Sequence, residues 1–280
     1  MIFFILAGGY GERARPLSLI KPKPIFPVNG KPLIRMMLGQ LKDIGLKNGL
    51  INLHYMPEKI KENTKTDLDI NFLYERELSG SKIIKKSAQY MKDLILIING
   101  DIFLKIPLKD MLKKALNSDG VLLVKKYTPG YSSVEVNKDN FVGTNKDNKK
   151  DLFMYTGVAI LRKNVIEKIN DFSFFDTLKR HNFKIKILEY SALWLDLGKP
   201  RLYFESNFKY KEYINNLTQN SLSNSVTISK DSIVKKSIVW ENSIIDNKSK
   251  ISNCIITGNI KLSNVNYKNK IITKNKVYDL

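Results

Sequence analysis

The chain contains very few of the residues that build disulfides or zinc sites. Its 280 residues include one cysteine, Cys254, and two histidines, His54 and His181. A single thiol excludes an internal disulfide, and one thiol with two imidazoles is too small a set for a site built on cysteine and histidine ligands. Any bound metal ion is therefore expected to rest on carboxylates.

Long hydrophobic segments are also missing. The longest apolar runs are residues 2–7 and 94–98, far below the roughly 20 residues that cross a bilayer. The opening Met1-Ile-Phe-Phe-Ile lacks the basic leader and small-residue cleavage site of a signal peptide. We therefore expect a cytosolic protein that does not bind membranes.

The net charge of +20 is high, but it does not form one basic patch. Lysines are spread along the whole sequence beside abundant asparagine and isoleucine, without the interleaved aromatic residues of a nucleic-acid surface. With 43% hydrophobic residues, the chain can bury a large core. We predict a globular protein that does not bind nucleic acid.

The first part of the sequence has the pattern of an α/β domain. The segment from Lys31 to Gly45 places apolar residues at helical spacing, begins with Pro32 and ends at a glycine, which predicts a crossover helix. Strand, helix and strand in alternation predict a Rossmann-like, mixed and mostly parallel sheet. The buried strands are expected at Ile2 to Leu6, Leu50 to Leu53, Ile70 to Leu73, Leu94 to Ile98 and Val121 to Val124.

After a polar break at residues 215–225 the helical pattern stops, and we predict domains at 1–217 and 218–280. Apolar residues now recur every six positions, which is typical of a parallel β-helix, here a short left-handed one; an antiparallel meander is the alternative. An exposed end of such a tail would offer an edge to a second subunit. The series comprises Ile233, Val239, Ile245 and Ile251, and resumes at Ile256 and Leu262.

The segment from Leu6 to Pro24, which we call the signature segment, reads LAGGYGERARPLSLIKPKP. Its glycines allow backbone amides to approach phosphates closely, and Arg13 and Lys23 add positive charge. It lacks the Gly-Lys-Ser/Thr of a P-loop, and its prolines preclude the helix that follows a dinucleotide-binding turn. We therefore predict a different device, an extended clamp for a triphosphate.

This segment closely resembles the signature of the sugar-1-phosphate nucleotidyltransferases, the NDP-sugar pyrophosphorylases. The resemblance covers nearly the whole chain, since many members carry a C-terminal left-handed β-helix. It continues through the motifs Asn52-Leu-His-Tyr-Met-Pro-Glu, Glu75-Arg-Glu-Leu-Ser-Gly, Asn99-Gly-Asp, Tyr155-Thr-Gly-Val and Trp194-Leu-Asp-Leu-Gly-Lys-Pro.

The resemblance implies that a sugar 1-phosphate attacks the α-phosphate of an NTP, giving NDP-sugar and pyrophosphate. Such chemistry needs cations, amide donors and Mg²⁺ more than a covalent nucleophile. By the match, Asp101 and Asp196 hold the Mg²⁺, Arg13 contacts the leaving pyrophosphate and Lys23 reaches the reacting phosphates. Lys21 and Arg15 are interpreted as solvated surface charges.

The same match assigns the substrate contacts. Nucleotide binding falls to the backbone of Leu6, Ala7, Gly8, Gly9 and Gly11, to Arg13, and to Gly80 in the turn at residues 79–81. Gly157 and, more weakly, Asp176 are assigned to the sugar. His54, Trp194 and Trp240 are interpreted as structural.

Two departures from the family pattern leave the substrate open. Gly80-Ser-Lys stands where many members have Gly-Thr-Ala, and no Glu-Lys-Pro occurs between Phe141 and Asp151. The second absence resembles the branch of mannose-1-phosphate guanylyltransferase-like and N-acetylmuramic acid-1-phosphate uridylyltransferase-like proteins. We predict GTP with mannose or heptose 1-phosphate, with UTP or dTTP and glucose or N-acetylmuramic acid 1-phosphate as the alternative. A non-catalytic regulator that binds a nucleotide sugar is a further alternative.

Overall fold

The computed structural model describes residues 1–131, 133–144, 153–169, 174–216 and 218–280. The Asn145-Lys-Asp-Asn-Lys-Lys stretch, on which one of the departures rests, lies outside these residues. The α-helices are α1 (Leu33–Asp43), α2 (Pro57–Glu62), α3 (Lys82–Lys86), α4 (Leu108–Ala115), α5 (Lys163–Lys168), α6 (Phe174–Arg180) and α7 (Pro200–Tyr213).

The strands of the first 200 residues are β1 (Ile2–Leu6), β2 (Pro27–Val28), β3 (Lys31–Pro32), β4 (Asn48–Leu53), β5 (Asp69–Tyr74), β6 (Leu94–Asn99), β7 (Ile102–Leu104), β8 (Gly120–Lys126), β9 (Ser133–Asn137), β10 (Asn140–Gly143), β11 (Phe153–Arg162), β12 (Ile185–Glu189) and β13 (Trp194–Asp196). Those of the C-terminal part are β14 (Ser221–Leu222), β15 (Thr227–Ile228), β16 (Ile233–Lys235), β17 (Ile238–Val239), β18 (Ile244–Asp246), β19 (Lys250–Ser252), β20 (Ile255–Ile256), β21 (Lys261–Ser263), β22 (Asn266–Lys268), β23 (Lys270–Ile272) and β24 (Val277–Asp279).

The chain divides into two compact units. The first consists of Met1–Gly9, Leu38–Pro57 and Thr66–Trp194, and the second of Tyr10–Met37, Glu58–Lys65 and Leu195–Leu280. The second unit thus joins most of the signature segment to the C-terminal strands. The domain limits at residues 217 and 218 stay a prediction.

A nine-stranded sheet in the order β5-β4-β1-β6-β11-β8-β12-β10-β9 forms the first unit. All five predicted strands are present, and β1, β4, β5 and β6 run parallel. Ile5 is in register with Ile51 and Ile98, and all three side chains are buried. An apolar run buried on both faces is what a parallel strand requires.

The prediction of a mostly parallel sheet is wrong for the half beyond β6. There β11 is antiparallel to both β6 and β8, and β10 is antiparallel to β9 and β12. The reason is local, since β9 and β10 are joined by the short turn at Lys138 and Asp139, and a tight hairpin pairs consecutive strands antiparallel. The sheet is mixed.

The predicted crossover helix is α1. Its buried residues, Leu33, Ile34, Met37, Leu38 and Leu41, form a stripe at helical spacing. The chain leaves the helical conformation at a glycine, Gly45, which has a φ of 85°.

The signature segment is not extended as predicted. Three 3₁₀ turns follow one another at Glu12–Ala14, Leu17–Leu19 and Lys23–Ile25. Proline is compatible with the first residues of a helical turn because it needs no N–H donor there and its φ suits the turn. The prolines therefore fold the segment into short turns, and they exclude a longer helix as expected.

The C-terminal strands stack in parallel, which contradicts the antiparallel meander. Ser221 pairs with Ile238, Thr227 with Ile244 and Ile233 with Lys250, so each strand lies beside the strand 17 residues later. Three sheets result, one strand of each per 17-residue coil. We call residues 221–280 the coil region. Among the described residues only its last pair, β23 with β24, is antiparallel.

The six-residue series holds except at its start. Val239, Ile245, Ile251, Ile256 and Leu262 are buried together, whereas Ile233 is 48% exposed and Val234 packs into the cluster instead. A coil of 17 residues divides into steps of six, six and five. Counting six residues back from Val239 therefore reaches a side chain on the outer face.

Asparagine at the corners of the coil region has a conformational cause. Five asparagines have φ values between 51° and 61°, namely Asn242, Asn253, Asn259, Asn264 and Asn269. Asparagine tolerates this left-handed conformation better than most residues other than glycine. Among the described residues, no helix combines the length and apolar character needed to span a membrane.

Candidate active site

Three parallel strands end together at one edge of the sheet in the first unit. Leu6 of β1 is in register with Asn52 of β4 and Asn99 of β6, and the Gly100 amide donates to the Leu6 carbonyl oxygen over 2.9 Å. The residues that follow these strands therefore gather at the carboxyl edge, where α/β sheets bind ligands. Two of the predicted nucleotide-binding residues, Ala7 and Gly8, lie there.

A buried hydrogen-bond network organises this edge. The Ala7 amide donates to Asn52 Oδ1 over 2.7 Å, and Asn52 Nδ2 donates to Glu75 Oε2 over 2.6 Å. The amide and hydroxyl of Ser79 donate to Glu75 Oε1 over 3.1 and 2.6 Å. A 7% exposed carboxylate thus links the first turn after β1 to the turn that carries Gly80.

The network explains why residue 8 is a glycine. A Cβ added to Gly8 would lie 2.6 Å from Asn52 Nδ2 and 3.2 Å from Glu75 Oε2. The sequence analysis included Asn52 and Glu75 in matching motifs but assigned neither a role. The missed signal was Glu75 itself, because a carboxylate directly after a strand is rarely buried without partners.

The two glycines assigned to the base and the sugar have left-handed backbones. Gly80 is exposed, with a φ of 56° and no other atom within 4 Å of the Cβ position. Gly157 has a φ of 92°, and its Cβ position is 3.1 Å from the Asn99 side chain. It falls at a register shift between β11 and β8, and such bulges commonly occur beside functional sites.

Two carboxylates of the first unit were predicted to take part in the site. Asp101 is half-buried and follows β6 directly. Asp176 is an exposed residue in the first turn of α6. His54 contacts the backbone, with its Nδ1 2.9 Å from the Glu75 carbonyl oxygen, so its interpretation as a structural residue agrees with its contact.

Gly11 and Lys23 lie together in the second unit. Gly11 has a φ of 67°, and a Cβ there would lie 3.1 Å from Ser18 Cβ and 3.3 Å from Lys23 Cγ. The absence of a side chain at residue 11 therefore leaves room for the Lys23 stem. Arg13 is exposed in the first 3₁₀ turn of the same segment.

Asp196 is held by its own turn. Its Oδ1 accepts the Gly198 amide over 2.6 Å, and its backbone oxygen accepts the Ser206 hydroxyl over 3.1 Å. A Cβ on Gly198 would lie 2.8 Å from the same Oδ1. Glycine at residue 198 thus allows the turn to fix the orientation of this carboxylate.

The carboxylates suit Mg²⁺. Within the part of the chain that the structure describes, no group of three or more His, Cys, Asp and Glu side chains forms a metal site. Mg²⁺ needs no such group, because it commonly binds one or two carboxylates and takes its other ligands from phosphates and water. Asp101 and Asp196 therefore fit Mg²⁺ better than a metal that requires a complete protein cage.

The interpretation of Lys21 as a solvated charge is wrong. Its Nζ lies 2.6 Å from Glu241 Oε1, and its side chain is only 20% exposed. The partner is 220 residues away in sequence, so no local pattern could indicate it. Arg15 agrees better with its prediction, since it is exposed beside Glu12.

A mixed α/β sheet, whose first strand leads into a glycine turn and whose strand ends carry carboxylates, defines the chain as a nucleotide-binding α/β protein. Residues 3–135 match the Nucleotidyl transferase family model. The chain is 28% identical to D-glycero-alpha-D-manno-heptose 1-phosphate guanylyltransferase of Campylobacter jejuni, over 71% of this chain and 96% of that protein. It is 26% identical to the bifunctional protein GlmU of Methanocaldococcus jannaschii, over 94% of this chain and 75% of that protein.

A solved structure gives the same result. HddC from Yersinia pseudotuberculosis, crystallised with GMP-PN, matches with a TM-score of 0.66 and 26% identity, over 75% of this chain and 99% of that one. The chain belongs to the sugar-1-phosphate nucleotidyltransferase family. It is an enzyme of nucleotidyl transfer.

Proposed function

We propose that the chain transfers a guanylyl group from GTP to mannose 1-phosphate or heptose 1-phosphate. The observation that carries the choice of base is the Glu75 carboxylate, buried beside Gly8 and held by Asn52 and Ser79. A carboxylate has about four acceptor positions, of which three are used by these protein donors. The position that remains on Oε2 suits a ligand that donates.

The two candidate bases differ at this point. Guanine presents adjacent N–H donors on its pairing edge, whereas uracil presents one N–H between two carbonyl oxygens. A fixed carboxylate attracts the first arrangement and repels the carbonyl oxygens of the second, since a buried acceptor without a donor is unfavourable by about 1 to 3 kcal/mol. The carboxylate at residue 75 therefore favours GTP over UTP.

The comparisons support this proposal independently. The heptose 1-phosphate guanylyltransferase of Campylobacter jejuni matches over nearly its whole length. The HddC structure holds GMP-PN, a guanine nucleotide analogue. Both suggest a guanine nucleotide as donor, and the first suggests a sugar phosphate of manno configuration as acceptor.

In the proposed reaction an oxygen of the sugar 1-phosphate attacks the GTP α-phosphorus, and the bond to the pyrophosphate oxygen breaks. The amides of residues 7–9 and Gly11 face the phosphates, Arg13 neutralises the departing pyrophosphate, and Lys23 stabilises charge at the reacting phosphorus. Asp101 and Asp196 would hold Mg²⁺, which neutralises phosphate charge when bound. Gly157 and Asp176 are the proposed contacts to the sugar.

A grid of substrates tests the proposal. Pyrophosphate release is measured with Mg²⁺ for four NTPs against mannose, heptose, glucose and N-acetylmuramic acid 1-phosphates. GTP with a manno-configured sugar should give the highest kcat/KM, and chelation of the metal should abolish the signal. A preference for UTP or dTTP would overturn the choice of base.

A substitution makes the test specific to the carboxylate. Glu75→Gln keeps an oxygen for Ser79 but places an amide donor at the base, so the GTP to UTP ratio of kcat/KM should fall by about tenfold or more. Glu77→Gln, two residues further on and exposed, is the matched control and should leave the ratio unchanged. An unchanged ratio in Glu75→Gln would remove the basis of the proposal.

A uridylyltransferase is the second candidate, favoured by one observation. The GlmU relative matches over 94% of this chain, and that length includes most of the coil region. For the coil region itself we propose the left-handed sense of a parallel β-helix, with an exposed end that pairs with a second subunit. Light scattering measures that assembly.

A further inference from the structure

One turn of the coil region packs under the signature segment. Trp240 is fully buried, and its Nε1 donates to the Tyr203 hydroxyl over 2.9 Å. That hydroxyl in turn donates to the Pro27 carbonyl oxygen over 2.8 Å. The Phe26 ring centroid lies 5.1 Å from that of Tyr203 and 5.6 Å from that of Trp240.

An ion pair joins the same two parts of the second unit. Lys21 Nζ lies 2.6 Å from Glu241 Oε1 and 5.4 Å from the centroid of the Trp240 ring. The two side chains of the pair are 20% and 34% exposed. A Cβ on Gly258 would lie 3.0 Å from Glu241 Oε1, so the next coil leaves space for this carboxylate.

The stretch is tied at its other end as well. The Asn29 amide and the Ser221 hydroxyl both donate to Asn207 Oδ1, over 3.0 and 2.8 Å. A Cβ on Gly30 would lie 2.5 Å from the Leu222 carbonyl oxygen. Residues 21–30 are therefore fixed to the coil region at both ends.

We propose that the coil region positions Lys23, with Glu241 as a positioning residue that acts through Lys21. Lys23 lies two residues after Lys21, inside the stretch whose ends the coil region holds. Binding groups that must meet a reacting phosphate lose rate when they are free to move, because alignment is then paid for at each turnover. The inference rests on the nucleotidyl-transfer activity but not on the identity of base or sugar.

The test compares two ion pairs of equal length in the coil region. Glu241→Gln removes the charge that holds Lys21, whereas Asp279→Asn removes the partner of Lys270, also 2.6 Å away. With the best substrates of the grid, Glu241→Gln should lower kcat about fivefold or more while KM for the sugar phosphate changes less than about twofold. Asp279→Asn should keep both parameters.

Further variants separate positioning from general damage. Lys21→Met should give the same loss, and the double variant should be no worse than either single one, since the pair acts as one unit. The charge-swapped pair Lys21→Glu with Glu241→Lys should recover part of kcat. Normal kcat in Glu241→Gln, or losses that add in the double variant, would overturn the proposal.

Hydrogen exchange keeps the inference testable without turnover. Amides of residues 17–28 should exchange about tenfold faster in Glu241→Gln and unchanged in Asp279→Asn. Equal exchange in both variants would refute the positioning role. A wild-type protein without transferase activity that still showed the difference would count against the proposed function alone.

Discussion

Gly11 provides a direct test of how the backbone places a catalytic side chain. Its φ of 67° and the 3.3 Å separation between its Cβ position and Lys23 Cγ are two distinct constraints. Gly11→Ala violates both of them. Gly45→Ala, at a φ of 85° with no other atom within 4 Å of the Cβ position, violates only the first.

The two constraints have separable magnitudes. A non-glycine residue in the left-handed region loses about 1 to 2 kcal/mol of stability. Crowding against the buried Ser18 side chain adds about 1 kcal/mol, and the flexible Lys23 stem must shift. Gly45→Ala should therefore lose about 1 to 2 kcal/mol and Gly11→Ala about 2 to 3 kcal/mol.

Denaturant unfolding gives these stabilities, and pyrophosphate release gives the turnover. We expect turnover to fall in Gly11→Ala and to be unchanged in Gly45→Ala. Gly11→Asn should recover much of the backbone term, since asparagine accepts this φ, but not the turnover, because its Cβ still displaces Lys23. Equal stability and equal turnover in the two alanine variants would refute the reasoning.

Three other substitutions have defined outcomes. Asp101→Asn and Asp196→Asn should each abolish Mg²⁺-dependent pyrophosphate release while the melting temperature stays near that of the wild type; full turnover in both would exclude them as metal ligands. Lys23→Ala should lower kcat more than it raises KM for the NTP, as steady-state kinetics can show, because its charge acts where charge develops. Asn207→Leu should lose about 2 to 4 kcal/mol in denaturant unfolding, since buried donors are left unpaired; a loss below about 1 kcal/mol would contradict that account.

The parallel strands and the crossover helix were predictable because their signals are local. Ile2 to Leu6 and Leu94 to Ile98 are apolar runs of strand length, and residues 31–45 carry a helical stripe between a proline and a glycine. The antiparallel half of the sheet was not predicted. Its direction depends on a two-residue turn at Lys138 whose sequence lacks the Asn-Gly or Asp-Gly pair typical of hairpins.

The site divides in the same way. Gly8 and Gly11 stand in a recognisable segment, and the structure supplies the neighbours that require glycine at both positions. Glu75 and Asn52 are 23 residues apart, and Lys21 and Glu241 meet only through the stacking of the coils. Such pairs follow from tertiary packing, so a sequence pattern can suggest the individual residues but not the contact.

The 17-residue coil also sets how this protein can change in length. Adding one whole coil would extend the stack by about 4.8 Å, the spacing of neighbouring strands, and leave every pairing register intact. Inserting one residue would instead shift all later strands and turn their buried side chains outward. The tail can therefore lengthen or shorten over evolution only in whole coils, while the turn that carries Trp240 and Glu241 must stay at its present distance from the first coil.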